Sequence, residues 1–256
     1  MLKGIFDTHA HMDDSRFSAN LDTVMKSQQS FGVIGIINSG SELQSSYRSC
    51  EVADKYDFVY ASVGIYPNET ANLPDDYISQ LRDMCKSPKV VAIGEIGMDY
   101  GFEGHPDPKT QERRFREQLE LAVEFDLPVV IHNRQADADV LRIIKDYRIR
   151  GEIHRIFSPL EYAEKFMDYG LYMGIGPQVT YPDSSCLVSL VKSMPLEKLL
   201  LETDAPFLPP SHLAGADALP DMISFVAEKI ADVRRDVSAQ EVIDIAFKNT
   251  KKLYNI

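Results

Sequence analysis

Gly4-Ile5-Phe6-Asp7-Thr8-His9-Ala10-His11 is the stretch on which the fold turns. A short apolar run, Gly4–Asp7, leads into DTHAH. It does not lead into the glycine-rich phosphate turn (GxGxxG) that often follows the first strand of an open, doubly wound sheet. Seven further apolar runs follow: Val33–Asn38, Phe58–Gly64, Val90–Gly94, Pro128–His132, Gly151–Phe157, Leu171–Gly176 and Lys198–Glu202. Most are rich in Val, Ile and Leu without polar alternation, as in parallel strands buried on both faces. The stretches between them read as helices: Asn20–Phe31, Glu42–Tyr56, Asp75–Cys85, Thr110–Asp126, Ala136–Tyr147, Leu160–Tyr169 and Ser184–Ser193. The chain closes on Pro220–Arg235 and a helix from Gln240, with Ser238 and Glu241 in a capping-box pattern. Thr110 is the expected cap of its helix, with Phe115, Leu119, Ala122 and Val123 as the buried face. Eight strand-then-helix units predict a closed (β/α)8 barrel in a single domain spanning residues 1–256.

The composition agrees. A chain of 256 residues with 44% hydrophobic and 26% charged residues is ordinary for a barrel enzyme. Net charge is −12 and the sequence pI about 4.9, which disfavours non-specific binding to nucleic acid or anionic membranes. Bound metal can reverse the local sign, so an anionic substrate stays open. No apolar run approaches a membrane span or a signal peptide. Cys50, Cys85 and Cys186 are few, odd in number and far apart. They are expected as buried thiols in a reducing cytoplasm, with no disulfide framework.

The chemistry sits where the apolar runs end. His9 and His11 are two apart, so on a strand both imidazoles face one way and can bind one metal; two exposed loop histidines is the plainer reading of that pair. Glu95 follows the fourth run in IGEIGMDY, His132 ends the fifth, His154 lies in the sixth and Asp204 follows the eighth in LLLETDAP. The C-terminal rim of a barrel is where its enzymes place their chemistry. A lone strand-end His or Asp is more simply structural, but six such groups on one rim, four of them among only six histidines, point to metal. Imidazole and carboxylate ligands suit one or two divalent ions, zinc, magnesium or manganese, with iron also compatible. Glu95 can bridge two ions. Arg134 could meet a phosphate oxygen or make a surface ion pair; Arg155 reads the same way, with the ion pair favoured. Tyr66 could donate to substrate or simply pack. Asp99 and Tyr100 read as supports behind the ligands, and Asp13-Asp14 as a solvated acidic loop.

From DTHAHMDD through VVAIGEIGMDY, FREQLELAVEFDLPVVIHNRQA, GEIH and KLLLETDAPFLPP to NTKKLY, the chain resembles the TatD family of metal-dependent deoxyribonucleases, within the amidohydrolase-like hydrolases. The resemblance covers essentially the whole chain. It implies that His9 and His11 bind a first metal, His132 and His154 a second, that Glu95 bridges, and that Asp204 is both ligand and proton acceptor. Three departures stand out. GIYPNE has Tyr66 and Asn68 where the family has GxHPH; His154 is followed by Arg155-Ile156-Phe157-Ser158 rather than CFSG; Leu213–Pro220 replaces an RGKRNEP-like segment. The departures fall on groups expected to hold substrate, not on the six metal positions. The reading is a cytoplasmic, monomeric phosphodiester hydrolase that uses metal-activated water with Asp204 as base. It would act on DNA ends, short single strands or a small phosphodiester, with no membrane attachment and no stable nucleic-acid complex. A hydrolase of a small ester, lactone or amide on the same scaffold is the alternative, and a non-catalytic metal-binding scaffold is the third.

Overall fold

Parallel strands buried on both faces need helices outside them and a filled interior, and the computed structural model, which describes residues 1–256, has both. Eight strands, β1 (Ile5–Ala10), β2 (Val33–Ser39), β3 (Val59–Val63), β4 (Val90–Asp99), β5 (Val129–Arg134), β6 (Gly151–Ile153), β7 (Tyr172–Ile175) and β8 (Leu199–Leu201), pair in sequence order, all parallel. The ring closes through an Ala10–Ala205 bridge, with the Asp204 amide donating to the His9 carbonyl at 2.9 Å. Around it lie α1 (Leu21–Ser30), α2 (Leu43–Lys55), α3 (Tyr77–Met84), α4 (Pro108–Phe125), α5 (Asp137–Ile144), α6 (Leu160–Tyr169), α7 (Ser185–Ser193), α8 (Ile223–Arg234) and α9 (Ala239–Tyr254). This is a single-domain (β/α)8 barrel. A core of 56 buried residues dominates the packing. A second cluster joins Phe6, Val91, Val130, Tyr172 and Leu200 to Leu253 and Tyr254, the last residues of α9. No helix is long and apolar enough to cross a membrane.

The differences from expectation have local causes. β4 runs on to Asp99 because its register with β5 shifts between Ile93 and Ile96, a bulge that carries the strand past Glu95. Gly97 permits this: it has φ +144, and a Cβ there would come 2.0 Å from the His132 carbonyl. β1 also shifts register between Asp7 and Ala10, around His9. β6 stops at Ile153, and Arg155, two residues on, is left-handed at φ +45. α4 is capped not by Thr110 but by Asp107, whose carboxylate accepts from the Lys109 and Thr110 amides while Pro108 fills the first helical position. Phe115, Leu119 and Ala122 are buried as expected, but Val123 lies on the shoulder of the stripe, 49% exposed. Pro220–Met222 form a 3-10 turn before α8, and the Ser238–Glu241 capping box is present. Only Cys85 is a buried thiol; Cys50 is half-buried, and Cys186, in the first turn of α7, is exposed.

Candidate metal centre

The strand ends bring the six groups together. The Nε2 atoms of His9 and His11 are 3.2 Å apart. From His9 Nε2 the distances to Glu95 Oε2 and Asp204 Oδ1 are 3.6 and 3.8 Å. His11 Nε2 is 3.3 Å from Asp204 Oδ1. His154 Nε2 is 3.9 Å from both Glu95 Oε1 and Asp204 Oδ1, and its ring stacks on His9 with centroids 3.6 Å apart. Contacts between β1 and β6, which are not neighbours, must cross the barrel, so these rings meet at its mouth. Two ligand sets form, His9-His11-Glu95 and His9-His154-Asp204. His132 belongs to neither. Its Nδ1 meets Glu95 Oε1 at 2.7 Å and its Nε2 faces Asp99 Oδ2 at 3.2 Å.

Hydrogen bonding fixes which nitrogen of each ring faces the cluster. His11 Nδ1 lies 2.8 Å from the Ser39 carbonyl, which can only accept, so Nδ1 carries a proton and Nε2 is the nitrogen that faces the cluster; burial opposes a second proton, but Asp204 and Glu95 outweigh it and raise the ring to about 9, so Nε2 also holds a proton that a cation would have to displace. His154 Nδ1 likewise donates to the Glu202 carboxylate at 2.9 Å, which leaves Nε2 as the nitrogen that faces the cluster. Two atoms about 2.1 Å from one ion, at tetrahedral or octahedral angles, lie about 3.0–3.4 Å apart. The shortest contacts between His9, His11 and Asp204 are of that size, and the Nε2 atoms of His9, His11 and His154 all turn toward the Glu95 and Asp204 carboxylates. His9, His11, His154, Glu95 and Asp204 therefore fit a divalent ion. His132 is bracketed by two carboxylates, which outweigh burial and favour the doubly protonated ring; binding a cation there would require loss of one proton.

The electrostatics agree. Burial alone would raise the Glu95 carboxyl, but the His132 hydrogen bond and the His154 and His132 charges hold it well below the usual range. Burial opposes ionisation of Asp204 too, and is outweighed by the His11 hydrogen bond and by Arg155, whose Nη1 donates to Oδ2 at 2.7 Å. Burial, and then His154, pushes His9 well below its ordinary value, so it is a neutral ring. Gln135, Arg155, Asp204 and Leu208 all have positive φ. Left-handed backbone at non-glycine residues is costly and clusters where geometry is held for function.

Below the ligands lies a polar layer. Thr8 Oγ1 donates to the Leu201 carbonyl at 3.3 Å, and the Tyr254 hydroxyl donates to Glu152 at 2.7 Å. Burial and the Glu202 charge raise the Glu152 carboxyl, keeping it protonated. Glu202 fits only because residue 174 is glycine; a Cβ there would come 2.5 Å from Glu202 Oε2.

Of the weaker candidates, Tyr66 lines the mouth, but its hydroxyl is committed to Asp99 at 2.7 Å. Asp99 supports His132, whereas Tyr100 points away to Asp139 at 3.0 Å. Arg134 is exposed at the end of β5 and lines a neighbouring cavity. Asp13 is not a solvated acid: its side chain is 5% exposed, accepting from Asn38 at 2.9 Å and pairing with Arg48 at 3.1 Å. The sequence reading missed Glu202 and gave Arg155 a surface role. Glu202 stands two residues before Asp204, where the last apolar run stops, and that spacing was the available signal.

A parallel barrel with histidines and carboxylates meeting at its C-terminal mouth defines a metal-hydrolase scaffold. Residues 6–255 match the model of the TatD related DNase family, and the chain belongs to that family of metal-dependent hydrolases. It is 32% identical to the uncharacterized metal-dependent hydrolase YabD of Bacillus subtilis over 98% of this chain and 99% of that one. It is 33% identical to the 3′-5′ ssDNA/RNA exonuclease TatD of Cronobacter sakazakii over 82% of this chain and 81% of that one. The crystal structure of YjjV, a TatD homologue from Escherichia coli K12, superposes with a TM-score of 0.92 at 31% identity, covering both chains completely.

Proposed function

We propose that residues 1–256 form one catalytic unit, a monomeric metal-dependent phosphodiester hydrolase of the deoxyribonuclease type, acting on strand ends or short single strands. The observation that carries this is Asp204. Its Oδ1 sits 3.3–3.9 Å from the Nε2 atoms of His11, His9 and His154 while Arg155 holds Oδ2. Held ionised and oriented in this way, Asp204 can position an attacking water and take its proton at Oδ1. One or two divalent ions held by His9, His11, Glu95, His154 and Asp204, with His132 joining through Glu95, would supply Lewis acidity toward a phosphoryl oxygen and a water acidified to near neutrality. The Cronobacter relative's name supports a nucleic-acid substrate.

Strand ends are favoured over long duplex because the rim has little cationic surface to spare. Arg16 is paired with Asp14 and Asp217, Arg48 with Asp13 and Arg155 with Asp204. Asp13, Asp14 and Glu42 line the same mouth. Arg134 is exposed and outside these pairs, so phosphate contact is expected on its side, with Tyr66 a further substrate contact in the mouth. The test is hydrolysis of a short single strand, a duplex and a small chromogenic diester over a salt series. The expected slope on the single strand corresponds to one or two phosphates, at about −0.7 each. Tight, steeply salt-dependent duplex binding contradicts the reading. The acidic wall gives specific support to a second reading, a small ester, lactone or amide as substrate, which turnover of such a compound without turnover of any diester would establish.

A further inference from the structure

A second cavity of about 450 Å³ opens beside the cluster and shares His132, His154, Arg155 and Leu208 with the first. A substrate reacting at Asp204 therefore reaches directly into it. Its wall holds groups for which the fold has no use. Gln178, in the 3-10 turn Pro177–Thr180, is only 9% exposed, yet neither its Oε1 nor its Nε2 has a hydrogen-bond partner. Buried polar atoms are nearly always partnered, and here both ends of one amide are not. Gly176 leaves the amide its space, since a Cβ there would come 2.6 Å from Gln178 Oε1. Asn133 donates to Asp137 and Ser158 at 2.6 and 3.1 Å while its buried Oδ1 also goes unmatched. Phe157 lines the cavity and is 71% exposed, although the chain buries most of its large apolar side chains. Arg134 lies exposed on the same wall.

We propose that this cavity is a nucleobase subsite. The base next to the scissile phosphate stacks on Phe157, the unpartnered Gln178 amide turns out from beside Gly176 to exchange a donor and an acceptor with its ring edge, and Arg134 meets an adjoining phosphate. A base has all three requirements in one ligand: a flat face, a mixed donor and acceptor edge, and a linked anion. A peptide offers the mixed edge without the flat face and anion, and an aliphatic ester leaves the amide unmatched. The assignment rests on the phosphodiesterase reading of the same mouth.

The test compares two short single strands that differ only at the nucleotide beside the scissile bond, one bearing its base and one abasic. Both are assayed with manganese-loaded wild type, Gln178→Ala and Phe157→Ala, each checked by thermal melting. The wild type is expected to favour the base-bearing strand about ten-fold or more in kcat/KM, chiefly through KM, and each substitution is expected to bring that ratio toward one. Because Phe157 is exposed, its variant keeps the test open should Gln178→Ala fail to fold. Equal rates on both strands in the wild type, or a preference that survives both substitutions, overturn the subsite and leave the phosphodiesterase reading standing. No hydrolysis of either strand by metal-loaded wild type overturns that reading, and the subsite with it.

Discussion

Removing the Glu202 carboxylate tests whether the cluster is held from behind as a metal site. Glu202 Oε2 accepts the Nδ1 proton of His154 at 2.9 Å, and both side chains are buried. Glu202→Gln keeps an acceptor and loses the charge. A charge-assisted hydrogen bond contributes about 1.5–3 kcal/mol and is roughly twice as strong as a neutral one, so the loss should be about 1 kcal/mol, roughly five-fold in metal affinity. Glu202→Ala removes the acceptor and leaves the Nδ1 proton buried without a partner, so the loss should reach about 10–100-fold. Gly174→Ala supplies an independent route to the same defect. Its Cβ would lie 2.5 Å from Oε2, and restoring ordinary contact moves the carboxylate by nearly an ångström, enough to break the 2.9 Å bond. Metal-stripped proteins titrated against a competing chromophoric chelator give the affinities, and thermal melting confirms folding. Wild-type affinity in folded Glu202→Ala and Gly174→Ala proteins would show that His154 is not held for metal.

Three further outcomes are expected. Asp204→Asn, nearly isosteric but unable to take a proton, should lower turnover of a short single strand by about 10²–10⁴ with the fold intact; wild-type kinetics in a metal-loaded variant removes Asp204 from the chemistry. Glu95→Gln should lower metal stoichiometry measured by elemental analysis, the second ion being lost first, because an amide offsets less cationic charge; an unchanged ratio excludes a bridge. Burial pushes the Asp7 carboxyl up to about 8, against the pull of Thr203 and the His9 and Thr203 amides, whereas an unfolded chain ionises it near 3.8. The folded state thus keeps a proton that the unfolded chain gives up, so this group's stabilisation is complete below pH 4 and declines as pH rises toward 8. Asp7→Asn imitates the protonated acid and should flatten that decline in melting temperature between pH 5 and 8; an unchanged slope contradicts the assignment.

The barrel was legible because its determinant is one-dimensional: eight apolar runs, each buried on both faces, separated by helical stretches. The positions of His9, His11, Glu95, His132, His154 and Asp204 were legible for the same reason, since a polar residue where an apolar run stops falls on the rim. Their pairing was not. His132 turns toward Glu95 and Asp99, beside the β4 bulge, and no residue alternation announces that the strand continues through a bulge at Gly94-Glu95, where the apolar run stops. Arg155 reads as a surface cation until left-handed backbone at φ +45 accompanies its turn back onto Asp204. Gln178 sits among Pro177, Val179 and Thr180, where a loop glutamine carries no signal until its burial is known.

In the proposed reaction the histidine–carboxylate cluster activates water on a phosphodiester through bound divalent metal. The most direct measurement is hydrolysis of a short single strand by wild type stripped with chelator, then reloaded in turn with zinc, magnesium and manganese, with Asp204→Asn assayed in parallel. No turnover is expected after stripping, with recovery on at least one metal and a loss of about 10²–10⁴ in the variant. Full activity in the stripped protein would contradict it. So would failure to cleave any diester with any divalent ion while an ester or amide is turned over.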